Sequence, residues 1–255
     1  MTEQMRQKLA PLFADMHALI GMREAALTGQ FGAAFVDAAE NPRCAVMTAG
    51  DVVLCGGVYA SCGCELLGQA LASQEREWLV YAPSAWHKEL AQNNQLQPVT
   101  RYAFDHDVQP SASVIADILR TAPQNLTFQP VEGEWVEWCR KQEWSRDFVS
   151  GYPDEKAYAA NGLGTLVMRD EEPVAGASSY LSYPHGIEVQ VQTREGFEGH
   201  GYATLAAAKL IEMGHAVGKL VTWDAANPAS QHMAEKLGYQ PAGAYTVFEL
   251  HKQNV

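Results

Sequence analysis

The chain has 255 residues, 47% of them hydrophobic, and a formal net charge of -12 at pH 7. That length supports a sizeable core in one or two domains, and the acidic balance excludes the basic footprint of a nucleic-acid binder. Residues 1–8 are polar and lack the apolar stretch of a secretory signal, and no apolar run nears the roughly 20 residues of a membrane helix. The expectation is a cytoplasmic protein with neither nucleic acid nor membrane as partner. Five cysteines, Cys44, Cys55, Cys62, Cys64 and Cys139, make no recognisable framework, so reduced thiols and no metal are expected. The negative surface suits a cationic substrate such as an amine, and serves solubility equally.

Residues 4–28 read as one helix, with Leu9, Leu12, Phe13, Met16, Leu19 and Ile20 on one face. Residues 31–39 read as a second short helix, ended by Asn41-Pro42. Residues 44–48 and 52–55 read as a hairpin around Ala49-Gly50-Asp51. A helix at 65–73, a strand at 78–81, a helix at 84–92 and a strand at 99–104 complete a small α/β unit. Pro110 and Pro123 interrupt the apolar pattern around a helix at 113–119. The domain boundary is placed there, giving residues 1–125 and 126–255.

Beyond it, residues 126–131 read as a strand and 134–143 as a helix. Trp135 and Trp138 on that helix, with Trp144, read as core. Residues 148–161 are irregular or helical. Strands at 164–168 and 174–181 flank a turn through Asp170 and Glu171. Tyr183-Pro184-His185-Gly186 turns into a strand at 188–193. A helix from Tyr202 stops at Gly218, a strand spans 220–224, and a helix opens after Asn227 with Pro228 in its first turn. Gly238 ends it, and 247–250 is a last strand. The order implies a mixed, largely antiparallel sheet with flanking helices, preceded by the smaller α/β domain.

Residues 188–202 hold the chemistry. Val189 and Val191 alternate with Gln190 and Gln192, the period of a half-buried strand. Gly196, Gly199 and Gly201 leave a bare loop running into a helix N-terminus, where free N–H groups and the helix dipole favour phosphate. Gly199-His200-Gly201-Tyr202-Ala203-Thr204 has a superficial likeness to a dinucleotide fingerprint, with Asp224 at about the distance of a ribose-binding acid. Thr204 stands where the third glycine belongs, and the strand ends at Thr193, too early for the tight strand-to-helix turn. Hairpin-linked strands upstream also oppose that reading.

The six residues Glu198, Gly199, His200, Gly201, Tyr202 and Ala203 resemble the signature Gln/Arg-x-x-Gly-x-Gly/Ala of the GCN5-related N-acetyltransferase superfamily. Glu198 departs from it. Asn227-Pro228-Ala229-Ser230 and Ala234-Glu235-Lys236-Leu237-Gly238-Tyr239 resemble that family's second block. The likeness covers residues 126–255 and is nearest to the zwittermicin-resistance-type subgroup, with residues 1–125 as an N-terminal extension. It implies the fold and activity of an N-acetyltransferase that uses acetyl-CoA as cosubstrate and a small-molecule amine as acceptor. The backbone from Glu198 to Ala203 would hold the pyrophosphate. Val189, Val191 and Thr193 would pair with the pantetheine arm, and the N–H near Val191 would polarise the thioester carbonyl. Asn227 and Ser230 would contact the cofactor, although Asn227 fits an N-cap equally well.

Direct attack needs a base, and Glu188 stands where the family places a carboxylate. The family's acid, a tyrosine, is replaced by Ala234, which leaves His232, Tyr239 and Tyr245 as substitutes, or no acid at all. The competing reading is a non-catalytic acyl-CoA-binding or regulatory protein on the same fold. A third gives the N-terminal domain a role in homodimerisation or acceptor shaping.

Overall fold

The computed structural model describes residues 1–58, 61–73 and 78–250. The chain divides into two units, Met1–Ala103 with Gly243–Val255, and Phe104–Ala242. Residues 105–125, which hold the expected boundary, lie within the second.

In the first unit, α1 (Glu3–Leu9), a 3-10 turn (Ala10–Phe13) and α2 (Ile20–Thr28) replace the single helix expected at 4–28. The break spans residues 14–19 and ends at Leu19, which has φ of 54°, a conformation that a leucine seldom adopts and that no local pattern announces. The helix expected at 31–39 is instead β1 (Ala34–Val36). It pairs antiparallel with β2 (Cys44–Ala49), and Asp37 closes the turn by accepting from the Arg43 and Cys44 N–H groups. Pairing with a distant strand overrides a local pattern that three residues cannot define. β3 (Val52–Gly57) completes the expected hairpin. Then come α3 (Ser61–Ala72), β4 (Leu79–Tyr81), α4 (Ser84–Leu90) and β5 (Leu96–Phe104). β12 (Pro241–Leu250) joins this sheet, antiparallel to β4, in the order β1-β2-β3-β4-β12-β5. Val46, Val53, Trp78, Val80, Trp86 and Phe248 centre its core.

The second unit begins with α5 (Ala112–Arg120) and β6 (Leu126–Pro130). α6 (Glu134–Lys141) and α7 (Glu155–Asn161) follow. β7 (Gly164–Arg169) and β8 (Glu172–Tyr183) form a hairpin whose two turn residues, Asp170 and Glu171, both have positive φ. β9 (Gly186–Thr193), α8 (Tyr202–Ala216), β10 (Leu220–Thr222), β11 (Asp224–Ala225) and α9 (Pro228–Leu237) complete it. The sheet order is β10-β9-β8-β7-β6, with β6 to β9 antiparallel and β10 parallel to β9.

α8 lies across this sheet on Leu205, Ala206, Ala207, Leu210 and Ile211, all buried. Small residues let it approach closely. At Gly214 an added Cβ would come within 2.6 Å of the Val221 side chain. On β8, Ser178 Oγ meets the Tyr158 hydroxyl at 2.7 Å and the Phe148 carbonyl at 2.7 Å, tying α7 and the preceding turn to the sheet. The three tryptophans of this stretch, Trp135, Trp138 and Trp144, are half-buried rather than core. Trp135, Trp138, Trp144 and buried Phe148 form an edge-to-face chain from surface to interior. Replacing fully buried Phe148 with alanine (Phe148→Ala) should lower stability by about 3–5 kcal/mol, read as a lower urea midpoint.

Candidate active site

β9 pairs with β8 from Gly186 to Thr193 but with β10 only at Gly186, Ile187 and Glu188. β8 carries an irregularity between Ser179 and Leu181, opposite Val189 and Glu188, where the β10 pairing ends. Such a bulge bends a strand and raises its twist. The Arg194 N–H donates to Val174 O on β8. Backbone N–H groups alternate along a strand, so those of Gln190 and Gln192 also face β8, and those of Val189, Val191 and Thr193 face the opposite edge. Among the described residues no strand pairs with β9 on that edge beyond Glu188, and the parallel pairing of Glu188 with Thr222 takes the Val189 N–H, so the expected free donor there is replaced by those of Val191 and Thr193.

The loop at 194–201 leads from this edge to α8. Gly196, Gly199 and Gly201 have φ of 86°, 76° and 78°, the left-handed region that favours glycine. Gly201 is the N-cap of α8 and, having no side chain, caps nothing. The first turn of a helix leaves its N–H groups without helical partners, and here those of Tyr202, Ala203 and Thr204 point outward. An added Cβ at Gly199 or Gly201 meets nothing, so the surface beside these donors is open.

Glu198 has a physical account. Its Oε2 accepts the Gly196 N–H at 2.8 Å, which draws the carboxylate back toward the start of the loop. The His200 ring stacks on Tyr202 at 5.3 Å, with Nδ1 2.8 Å from Glu198 O. Arg194 pairs with Glu172 at 2.5 Å.

Glu188 is 3% exposed, and its Oε2 lies 2.6 Å from Thr222 Oγ1. Tyr239 is buried, with its hydroxyl donating to Val221 O at 2.7 Å. Burial, with the Glu188 charge adding to it, holds the Tyr239 pKa well above the ordinary tyrosine value. Trp223 is buried, and its indole N–H donates to Ser230 Oγ at 3.1 Å. Asn227 Oδ1 accepts the Ser230 N–H at 2.9 Å, so Asn227 is the N-cap of α9. His232 is exposed on α9. Tyr245 belongs to the first unit, on β12, edge-on to Tyr81 at 5.8 Å.

The second unit therefore brings together Glu188, the open edge at Val191 and Thr193, and the loop from Glu198 to Ala203. Sequence reading missed Thr222. A threonine inside a three-residue strand gives no local signal, and only the β9–β10 register reveals it. Among the described residues no group of three or more His, Cys, Asp and Glu side chains is arranged to hold a metal. Among the described residues no helix is long and apolar enough to cross a membrane. Among the described residues no cysteine is in a disulfide, and burial pushes the Cys44 and Cys139 thiols up to about 12, which makes them poor nucleophiles.

A mixed sheet that opens after one central strand, beside a glycine loop feeding a helix, defines an acyltransferase-type fold. The chain matches the family model for GNAT acetyltransferases over residues 10–248 and belongs to that family. The match takes in most of residues 1–125, which the motifs alone left outside the resemblance. The chain is similar to a GCN5-related N-acetyltransferase-like protein from Streptococcus suis, at 29% identity over 96% of this chain and 98% of that one, with a TM-score of 0.86. A GCN5-related N-acetyltransferase from Kribbella flavida shares the fold at 15% identity, 94% and 98% coverage and a TM-score of 0.61. A GNAT-family acetyltransferase from Novosphingobium aromaticivorans shares it at 13% identity, 92% and 97% coverage and a TM-score of 0.56. No curated protein sequence matches the chain.

Replacing Asn227 with alanine (Asn227→Ala) removes the cap of α9 and should cost about 1 kcal/mol, measured as a lower thermal midpoint.

Proposed function

We propose that the protein transfers an acetyl group from acetyl-CoA to an amine of a small molecule by direct attack. The observation that carries this reading is two sets of backbone donors next to the buried Glu188: Val191 and Thr193 on the open edge of β9, and the first turn of α8, which has no side-chain cap. The residues suit the cosubstrate. Glycines leave space beside the donors, and the carboxylate that would repel phosphate is held on Gly196. The N–H groups of residues 199–204 would hold the pyrophosphate, and those of Val191 and Thr193 the pantetheine arm, which would pass Val189.

Bound acetyl-CoA supplies an activated thioester: the amine nitrogen forms the new C–N bond, the C–S bond breaks, and coenzyme A leaves as its thiol. Glu188 acts before that step. An ammonium acceptor gives one proton to the Glu188 carboxylate, through water, and becomes a nucleophilic amine. The Val191 N–H faces the carbonyl oxygen as charge develops on it. The second proton on nitrogen passes to the departing thiolate. A thiolate is weakly basic enough to leave without a protein acid. That suits a site in which Tyr239 holds its proton on Val221 O and Ala234 supplies none. The acidic chain would draw cationic acceptors toward the site. The zwittermicin-resistance-type subgroup, cytoplasmic location and homodimerisation remain part of the proposal, the last to be read as the mass in solution by scattering.

The test is thiol release from acetyl-CoA with a panel of small mono- and polyamines, alongside calorimetric coenzyme A binding. Turnover with at least one amine is expected. Replacing Glu188 (Glu188→Gln) should lower kcat by about 10²–10⁴-fold with coenzyme A affinity unchanged. Replacing Gly201 (Gly201→Val) places a β-branched residue at φ of 78° and should weaken coenzyme A binding at least about tenfold. Tight coenzyme A binding with no turnover for any amine would favour a non-catalytic acyl-CoA-binding protein. Glu198, which takes one loop N–H for itself, is the feature that would fit that outcome.

A further inference from the structure

Thr222 sits opposite Glu188 in the β9–β10 register. Its Oγ1 lies 2.6 Å from Glu188 Oε2 and 2.9 Å from Ile187 O. Tyr183 OH donates to the same atom at 3.4 Å. A hydroxyl carries one proton, so Thr222 donates to only one of its two acceptors at a time. While Glu188 is ionised, the Thr222 proton belongs on Oε2, because a charged acceptor makes the stronger bond. Once Glu188 is protonated, its own O–H donates to Thr222 Oγ1, and the Thr222 proton turns to Ile187 O. Neither arrangement requires a heavy atom to move. A buried carboxyl that gains and loses a proton needs a partner for both states, since an unpartnered buried charge is costly.

We infer that Thr222 is the positioning residue of Glu188, a hydroxyl switch that keeps this buried carboxyl hydrogen-bonded in both protonation states. The inference builds on the reading of Glu188 as the base. The bland alternative is that Thr222 only stitches β10 to β9, in which case its hydroxyl would affect stability alone. The titratable groups facing the pair are the Tyr183 phenol from β8 and the Tyr239 phenol from the turn after α9. Tyr239 stays neutral because burial and the Glu188 charge both raise its pKa.

The sign follows from the lost donor. Removing the Thr222 hydroxyl withdraws a hydrogen bond from the ionised carboxyl, which raises the Glu188 pKa. The acidic limb of kcat/KM, where the rate falls as the base takes up a proton, then moves to higher pH. Two readouts test this in the full chain. One is the pH profile of acetyl transfer. The other is a carbon-13 NMR titration of the labelled glutamate carboxyls, with the Glu188 signal assigned by its loss in Glu188→Gln. In Thr222→Val both midpoints should rise by about one pH unit, and in Thr222→Ser both should return toward wild type. Thr222→Ala replaces the valine variant if that one fails to fold. Wild-type midpoints in the variant without a hydroxyl would overturn the inference. A shifted NMR midpoint together with full activity in Glu188→Gln would instead keep the hydroxyl switch and overturn Glu188 as the base.

Discussion

Strand β9 is paired along its whole length with β8, but β10 accompanies it for only three residues, Gly186, Ile187 and Glu188. The site in the second unit follows from this inequality. A central strand with both edges paired has no backbone donors to offer. Here the pairing with β8 fixes the strand rigidly, while the opposite edge, past the Val189 N–H that closes the β10 pairing, presents the N–H groups of Val191 and Thr193. Loss of pairing coincides with the irregularity in β8, so the bend and the opening arise at one place. The last paired residue, Glu188, stays buried at the point where the strands part. The buried carboxyl and the open strand edge are thus set by one register.

The loop continues the same logic by different means. It holds three glycines in the left-handed region and a helix start without a side-chain cap. Most helix starts satisfy their first N–H groups with Ser, Thr, Asp or Asn, as α9 does with Asn227. α8 does not, and its donors remain directed outward. Within the second unit α5, α7 and α9 are closed by Ser111, Asp154 and Asn227, while α8, like α6, starts at a glycine that supplies no cap. Glu198 fits this picture once its side chain is placed. By accepting the Gly196 N–H, its carboxylate is tied to the start of the loop.

What could be read from sequence was what local chemistry dictates. Gly199 and Gly201 were legible because a positive φ selects glycine, and β9 was legible from the alternation of Val189, Gln190, Val191 and Gln192. Asn227 carried two equal readings, and the structure establishes the cap. The features that escaped are those set by distant partners. β1 is a strand because β2 lies beside it, although residues 31–39 carry a helix-like pattern. Leu19 breaks a helix through a conformation its residue type disfavours. Thr222 became visible only when the register set it against Glu188, 34 residues away in sequence.

The buried carboxyl also limits which acid–base scheme the second unit can support. Glu188 raises the Tyr239 pKa further above the value that burial alone would give, and the Tyr239 proton already rests on Val221 O. A phenol in that state stabilises the core: losing the proton would put a second negative charge beside the first and leave a buried carbonyl without its donor. The same charge that equips Glu188 to accept a proton therefore opposes proton donation by its aromatic neighbour. A reaction whose leaving group is a weakly basic thiolate is compatible with this pairing, because it needs a strong demand for base and little demand for acid. A leaving group as basic as an alkoxide would need a donor that Tyr239, so placed, is poorly suited to be.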